Sequence, residues 1–213
     1  ETVRRMKRWK TDAGSAKLLA AMTELPDLSR YLGDNYDPKT IGAITIAPSV
    51  EYYQQSWDDA KQGKPSSCPV MTVQLASSVD PGLVRGNGHV MSNWVVWEPP
   101  HPKDGTWDDA REEVGEQIID VLNEYTPNFR DSLLDWTLQT PADMETRVGL
   151  TDGNICHLDQ IPSQLLSQRQ SYRTEIGNFY MCGSGTHPAG AVTGAPGHNA
   201  AHAILKDLER LAV

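Results

Sequence analysis

With 213 residues, 38% hydrophobic and 22% charged, the chain is long enough to bury a core, as one large domain or two small ones. A net charge of −9 argues against nucleic-acid binding through phosphate contacts and against a polybasic membrane element. Cys68, Cys156 and Cys182 are far apart and form no Cys-x-x-Cys pair, so the expectation is reduced buried thiols, no metal site and a cytoplasmic setting.

No apolar run approaches the ~20 residues of a membrane helix, so no integral membrane segment is expected. The chain opens on Glu1 and enters a helical pattern at once, which reads as a processed, split or trimmed polypeptide. Val3, Met6 and Trp9 share one face of a short helix over Thr2 to Trp9, and the basic run Arg4 to Lys10 reads as its solvated side. Gly14 to Thr23 is apolar enough for strand or helix, and Pro26 ends it either way. Thr40 to Ser49 reads as a strand, and Ser49 then caps a helix running to about Gln62.

Pro69 to Ser78 alternates as a strand, with Met71, Val73 and Leu75 on one face. Asp80-Pro81-Gly82 and Gly86-Asn87-Gly88 turn the chain, and the run from His89 to Pro99 returns as a second strand in the middle of an antiparallel sheet. The clearest helix spans Thr106 to Tyr125, with Val114, Ile118, Val121 and Leu122 at helical spacing and Thr106 with Asp109 resembling a capping box. Asn128 to Leu150 reads as a short helix, an extended piece and a helical turn capped by Thr140 at Pro141. "DGNICH", Asp152 to His157, is a tight loop.

The last stretch, Asn178 to Leu211, reads as a strand (Phe179 to Cys182), a glycine-rich loop (Gly183 to Gly194) and a closing helix. Gly183, Gly185, Gly190, Gly194 and Gly197 let the main chain come close to a ligand, and the helix start offers amides to an anionic or polar cofactor. A loop this long is better explained by function than by turning the chain. The unit is short of strands, because such a loop and helix normally dock on a multi-stranded sheet.

Tyr180 to Leu205, "YMCGSGTHPAGAVTGAPGHNAAHAIL", closely resembles the C-terminal flavin motif of the phytoene desaturase-like FAD-dependent oxidoreductases, within the amine-oxidase-like flavoproteins. The likeness is nearest to the pyridine nucleotide-disulfide oxidoreductase domain-containing protein 2 branch. "SSVDPGL" from Ser77, "YTPNFRDS" from Tyr125, "TPADMETRVGLTDGNICH" from Thr140 and "LDQ" from Leu158 resemble it in the same order. The Gly-x-Gly-x-x-Gly element that opens such flavoproteins does not occur in this sequence.

The resemblance implies an α/β chain: an α+β substrate domain with an antiparallel sheet over residues 1–170, and over 171–213 the last strand and helix of a Rossmann-like FAD-binding domain. It implies FAD as cofactor, a partner polypeptide carrying the Gly-x-Gly-x-x-Gly half, and a small organic substrate. Gly183, Ser184, Gly185 and Thr186 would pass the ribityl and pyrophosphate region, with Cys182, His187, Pro188, Gly190 and Asn199 beside the cofactor. Val192, Thr193, Gly194 and Ala195 would meet the flavin ring. Relatives commonly read Gly-Gly-Gly-Val where this chain has Ala189-Gly190-Ala191-Val192.

Asn154 and His157 would lie close to flavin and substrate, His157 as the candidate catalytic group; the alternative is that both satisfy buried backbone. Trp94 and Trp97, with Tyr52, Tyr53 and Trp57, line a substrate pocket or pack a core. Lys17 holds a water near the flavin or snorkels at the surface. His198 and His202 lack a third metal ligand. The function implied is hydride removal from a small organic molecule, as oxidase or dehydrogenase. The rival from another class is a non-catalytic interaction protein that keeps the substrate domain.

Overall fold

Alternating apolar and polar positions become five strands of one antiparallel sheet in the computed structural model, which describes residues 2–189 and 192–211. The strands are β1 (Gly14–Met22), β2 (Ala43–Ile46), β3 (Val70–Gln74), β4 (His89–Glu98) and β5 (Leu133–Gln139), ordered β2-β3-β4-β1-β5. The principal helices are α1 (Thr2–Met6), α2 (Val50–Lys61), α3 (Trp107–Tyr125), α4 (Pro141–Val148) and α5 (Ala195–Leu211). The chain divides into two units, Asp12–Gly153, and Glu1–Thr11 with Asn154–Val213.

In the sheet unit, period-two alternation turns Ala16, Leu18, Ala20 and Met22 of β1 to one side, with Met71 and Val73 of β3 and Met91 and Val95 of β4. The helix α3 covers them with Val114, Ile118, Ile119 and Leu122, a stripe at helical spacing. Its start is fixed twice: Thr106 and Asp109 form the capping box, and Trp107 Nε1 donates to the Pro99 carbonyl at 3.0 Å. Gly115 lets α3 cross β5 closely, since a Cβ there would stand 2.2 Å from the Trp136 ring. The opposite face carries Lys17, Leu19 and Ala21 of β1 beside Trp94, Ser92 and Val90 of β4. On it opens a cavity of about 450 Å³ lined by Leu19, Ala21, Ala76, Val90, Ser92 and Thr137, among others.

The sheet ends in an irregularity. The β1–β4 register shifts between Gly14 and Ser15, and Trp97 on the bulged strand takes φ +60°. Its ring meets Tyr53 and Trp57 of α2 edge-on, with centroids 5.9 and 5.1 Å away. Glu98 beyond it is wholly buried, and Gly14 is required opposite, where a Cβ would lie 2.5 Å from the Glu98 carbonyl oxygen.

In the other unit, residues before Thr11 are sewn to the C-terminal segment. Asp159 N donates to the Lys10 carbonyl at 2.9 Å, Lys10 N to Gln164 Oε1 at 2.6 Å, and Arg5 Nη2 to Gln170 Oε1 at 2.7 Å. The helix α5 buries Ala200 and Ala203 and leaves Leu205 and Leu208 57% and 56% exposed. Its Asp207 accepts from Arg173 Nε at 2.7 Å and from the Tyr180 hydroxyl at 2.9 Å.

The mixed α/β class and the antiparallel pairing of β3 with β4 are as the sequence indicates. Several boundaries differ. The strand expected over Thr40 to Ser49 is confined to Ala43–Ile46. The expected strand Phe179 to Cys182 does not form: Tyr180 makes a single bridge to Arg173, for lack of a paired neighbour along its length. The strand expected to reach Ser78 stops at Gln74, because Ala76–Val79 coils into a helical turn whose Ser78 hydroxyl donates back to the Leu75 carbonyl at 2.7 Å. The first helix ends at Met6 instead of Trp9.

Candidate functional site

The glycine loop is closed on itself at its start. Thr186 is buried, and its backbone N and its hydroxyl both donate to the Gly183 carbonyl, at 3.0 and 2.8 Å. His187 N donates to the Gln170 carbonyl at 3.0 Å, while its Nδ1 is buried without a partner among the described residues. The space is open at two of the glycines: among the described residues, a Cβ on Gly183 or on Gly194 would meet nothing within 4 Å. Gly194 also sits at φ +68°, a backbone state that glycine adopts without penalty. Cys182, Gly183, Pro188, Val192, Thr193 and Gly194 are exposed, and Ser184, Gly185, Ala195 and Asn199 half-buried. Gly190 lies outside the described residues.

The start of α5 is partly satisfied by the chain itself. Thr193 Oγ1 accepts from Ala195 N at 3.2 Å, and Pro196 in the first turn has no N–H. The expectation of a row of free amides there is therefore corrected. What the end of this 17-residue helix offers is its dipole.

The loop from Asn154 to His157 belongs to the same unit as the glycine loop. Asn154 is buried, and both ends of its amide are engaged: Nδ2 donates to Asp159 Oδ1 at 2.8 Å and Oδ1 accepts from Cys156 N at 3.0 Å. The left-handed residues around it are Asp152, Gly153 and His157, at φ 57°, 64° and 63°, and not Asn154. His157 is brought against the glycine loop, and a Cβ on Gly185 would stand 3.8 Å from the His157 Cβ. Burial first, and the nearby Arg169 charge second, push the His157 pKa down. A neutral imidazole that accepts a proton or a hydrogen bond is the result at neutral pH.

Sequence reasoning missed two charged residues. Arg169 is 2% exposed, and its Nη2 donates to the carbonyls of Cys156 and Ser184, the latter at 3.0 Å. It therefore ties the His157 loop to the glycine loop. Nothing in the flanking Gln168 and Gln170 signals this, since a cation between polar neighbours reads as solvated. Glu98 of the sheet unit is the other. Burial raises its pKa to about 8 against a hydrogen bond from Ser66 N, which lowers it. A carboxylic acid in a strand reading "WVVWEPP" gives no sign that the bulge turns it inward.

Trp94 lies in the sheet unit, 36% exposed on the face opposite α3, where it pairs with Lys17 on β1 and Thr72 on β3. Of the other aromatics, Tyr53 and Trp57 pack on Trp97, and the Tyr52 hydroxyl donates to the Pro69 carbonyl at 3.1 Å. The rings of His198 and His202 are 4.4 Å apart, and among the described residues no three His, Cys, Asp or Glu side chains form a metal cluster. Cys68, Cys156 and Cys182 are free thiols but not the buried ones expected: Cys68 and Cys156 are half-buried and Cys182 is exposed. No described helix is long and apolar enough to cross a membrane.

No family model matches the chain. It is similar over 98% of its length to pyridine nucleotide-disulfide oxidoreductase domain-containing protein 2 of Rattus norvegicus, at 32% identity, and to that of Mus musculus at 31%. The chain spans 38% of the length of these curated relatives. A limonene dehydrogenase subunit of Castellaniella defragrans is 29% identical over 52% of the chain and 21% of its own length. A phytoene desaturase (lycopene-forming) of Pseudescherichia vulneris is 29% identical over 55% of the chain and 25% of its own length. The chain is thus a homologue of oxidoreductases of the desaturase and dehydrogenase type.

Proposed function

We propose, from the premise of this kinship, that the chain is the C-terminal portion of an FAD-dependent oxidoreductase that oxidises a small organic substrate by hydride transfer to flavin. The observation that carries the reading is the glycine loop, where a Cβ on Gly183 or Gly194 would meet no described atom within 4 Å and Val192 and Thr193 are exposed. These residues fit a large planar cofactor, because side chains at either glycine would fill the room that a ring or ribityl chain needs. Bound there, the flavin supplies the hydride acceptor, and the protein supplies binding, orientation and electrostatics. The dipole of α5 favours negative charge on the ligand beside its first turn. His157, held neutral, accepts a hydrogen bond or proton from the substrate.

The ADP side of the cofactor is assigned to a further polypeptide segment carrying Gly-x-Gly-x-x-Gly, whether a separate chain or a preceding part of a longer one. The length covered, 38% of the relatives, supports this. So does α5, whose Leu205 and Leu208 are exposed, as is Phe179 nearby in sequence to the loop. A cytoplasmic location goes with the free thiols. The test is the visible spectrum of the protein purified with whatever co-purifies. Flavin absorption that bleaches when a substrate is added supports the reading, and a colourless preparation that takes up no flavin with its complementary half present refutes it.

A further inference from the structure

Arg169 occupies an unusual electrostatic position. Its Nη2 is engaged by the Cys156 and Ser184 carbonyls, but Nε and Nη1 are buried and make no hydrogen bond among the described residues. No carboxylate pairs with it there, and two acids of the same unit are engaged elsewhere: Asp207 holds Arg173 and Tyr180, and Asp159 holds Asn154. A guanidinium stays protonated in proteins, so it does not escape burial by losing its charge. Desolvating a cation without a counter-charge is strongly unfavourable, and water satisfies N–H donors without bringing the charge. Neutral carbonyls compensate only part of it.

The neighbourhood is built for an anion. His157 is kept neutral next to the guanidinium, so the positive charge is concentrated on Arg169. Gly183, immediately before the Ser184 carbonyl that Arg169 holds, faces open space. The basic segment Arg4 to Lys10 belongs to the same unit and reaches residue 170 through Arg5.

We propose that Arg169 is an oxyanion-binding residue, its Nε and Nη1 donors receiving oxygen of a phosphate or carboxylate carried by the ligand of the glycine loop. The proposal rests on reading that loop as a ligand site, and not on the ligand being a flavin. The oxyanion comes either from a cofactor phosphate or from a substrate carboxylate. Binding also locks Nη2 onto the two carbonyls, so that the His157 loop and the glycine loop are ordered together.

The protein, with any polypeptide that co-purifies, is titrated with inorganic phosphate, acetate, riboflavin, FMN and FAD, in wild type, Arg169→Gln and Arg169→Lys. Phosphate or acetate protects the wild type against thermal unfolding, and Arg169→Gln weakens that oxyanion by about tenfold or more, with partial recovery in Arg169→Lys. A preference of about tenfold for FMN over riboflavin that disappears in Arg169→Gln assigns the oxyanion to the cofactor. Acetate protection with equal FMN and riboflavin affinities assigns it to the substrate. Should Arg169→Gln not fold, the Arg169 Nε–H resonance of the wild type, assigned with Arg169→Lys, decides by shifting on addition of phosphate or acetate. A folded Arg169→Gln with unchanged affinity for all five probes, or a resonance that neither anion moves, overturns the proposal. Flavins that fail to bind while an oxyanion does would remove the flavin reading and leave Arg169 standing.

Discussion

Glu98 offers a direct handle on the sheet unit. It is wholly buried at the end of β4, with Oε2 accepting from Ser66 N at 3.3 Å and Oε1 without a partner among the described residues. Burial, aided by the negative charge of Asp59, raises its pKa to about 8, from 4.5 in the unaffected group. Between these values the folded chain keeps a proton that the unfolded chain has released, so stability is full below about pH 4.5 and is lost as pH rises toward 8. The slope has an upper value of about 1.4 kcal/mol per pH unit, which amounts to about 3 kcal/mol at pH 7. Glu98→Gln has the same shape and no titration. Urea unfolding of both proteins from pH 5 to pH 8 should put Glu98→Gln ahead by an amount that grows with pH, from under about 1 kcal/mol at pH 5 to about 3 kcal/mol at pH 7. An orphaned amide in the variant adds only a constant offset. A difference that stays flat across this range would refute the buried, proton-holding carboxyl.

Gly115→Ala should lower stability by about 1–3 kcal/mol in the same urea assay, because its Cβ would stand 2.2 Å from the Trp136 ring; wild-type stability would contradict the close crossing of α3 over β5. Gly183→Leu and Gly194→Leu should leave the sheet unit folded, with Gly194→Leu carrying a backbone cost of about 1–2 kcal/mol for its left-handed state. Both should abolish flavin retention, measured as flavin per chain after gel filtration, since the proposed reading puts the ligand in the space that either side chain would fill; full retention in both would show the loop to be misassigned.

What was legible in the sequence was whatever local chemistry decides. Thr106 with Asp109 and Thr140 with Pro141 mark helix starts because capping needs those groups at that spacing, and both helices begin there. Met71, Val73 and Leu75 are buried because period two puts them on one side. The glycine loop was recognisable from its glycines, whereas a place for His157 near the same ligand was implied only by resemblance to a family. Three features depend on contacts distant in sequence and were invisible. Trp97 at φ +60° leaves no trace in a run of β-formers, and with it goes the inward turn of Glu98. Arg169 looks like an ordinary polar residue until the carbonyls of Cys156 and Ser184 are brought to it. The strand expected over Phe179 to Cys182 has the right residues, but a strand exists only where another pairs with it, and Tyr180 finds one bridge.

The central claim is that this chain carries the flavin-ring side of a cofactor site whose ADP side is held by another polypeptide segment. Native mass spectrometry of the protein isolated intact from its source tests it in one measurement. The account predicts a species whose mass equals this sequence together with a Gly-x-Gly-x-x-Gly segment, covalently continuous or associated, plus one FAD per copy. A stable species of this chain alone, at 23.5 kDa with no flavin and no further polypeptide, would contradict it.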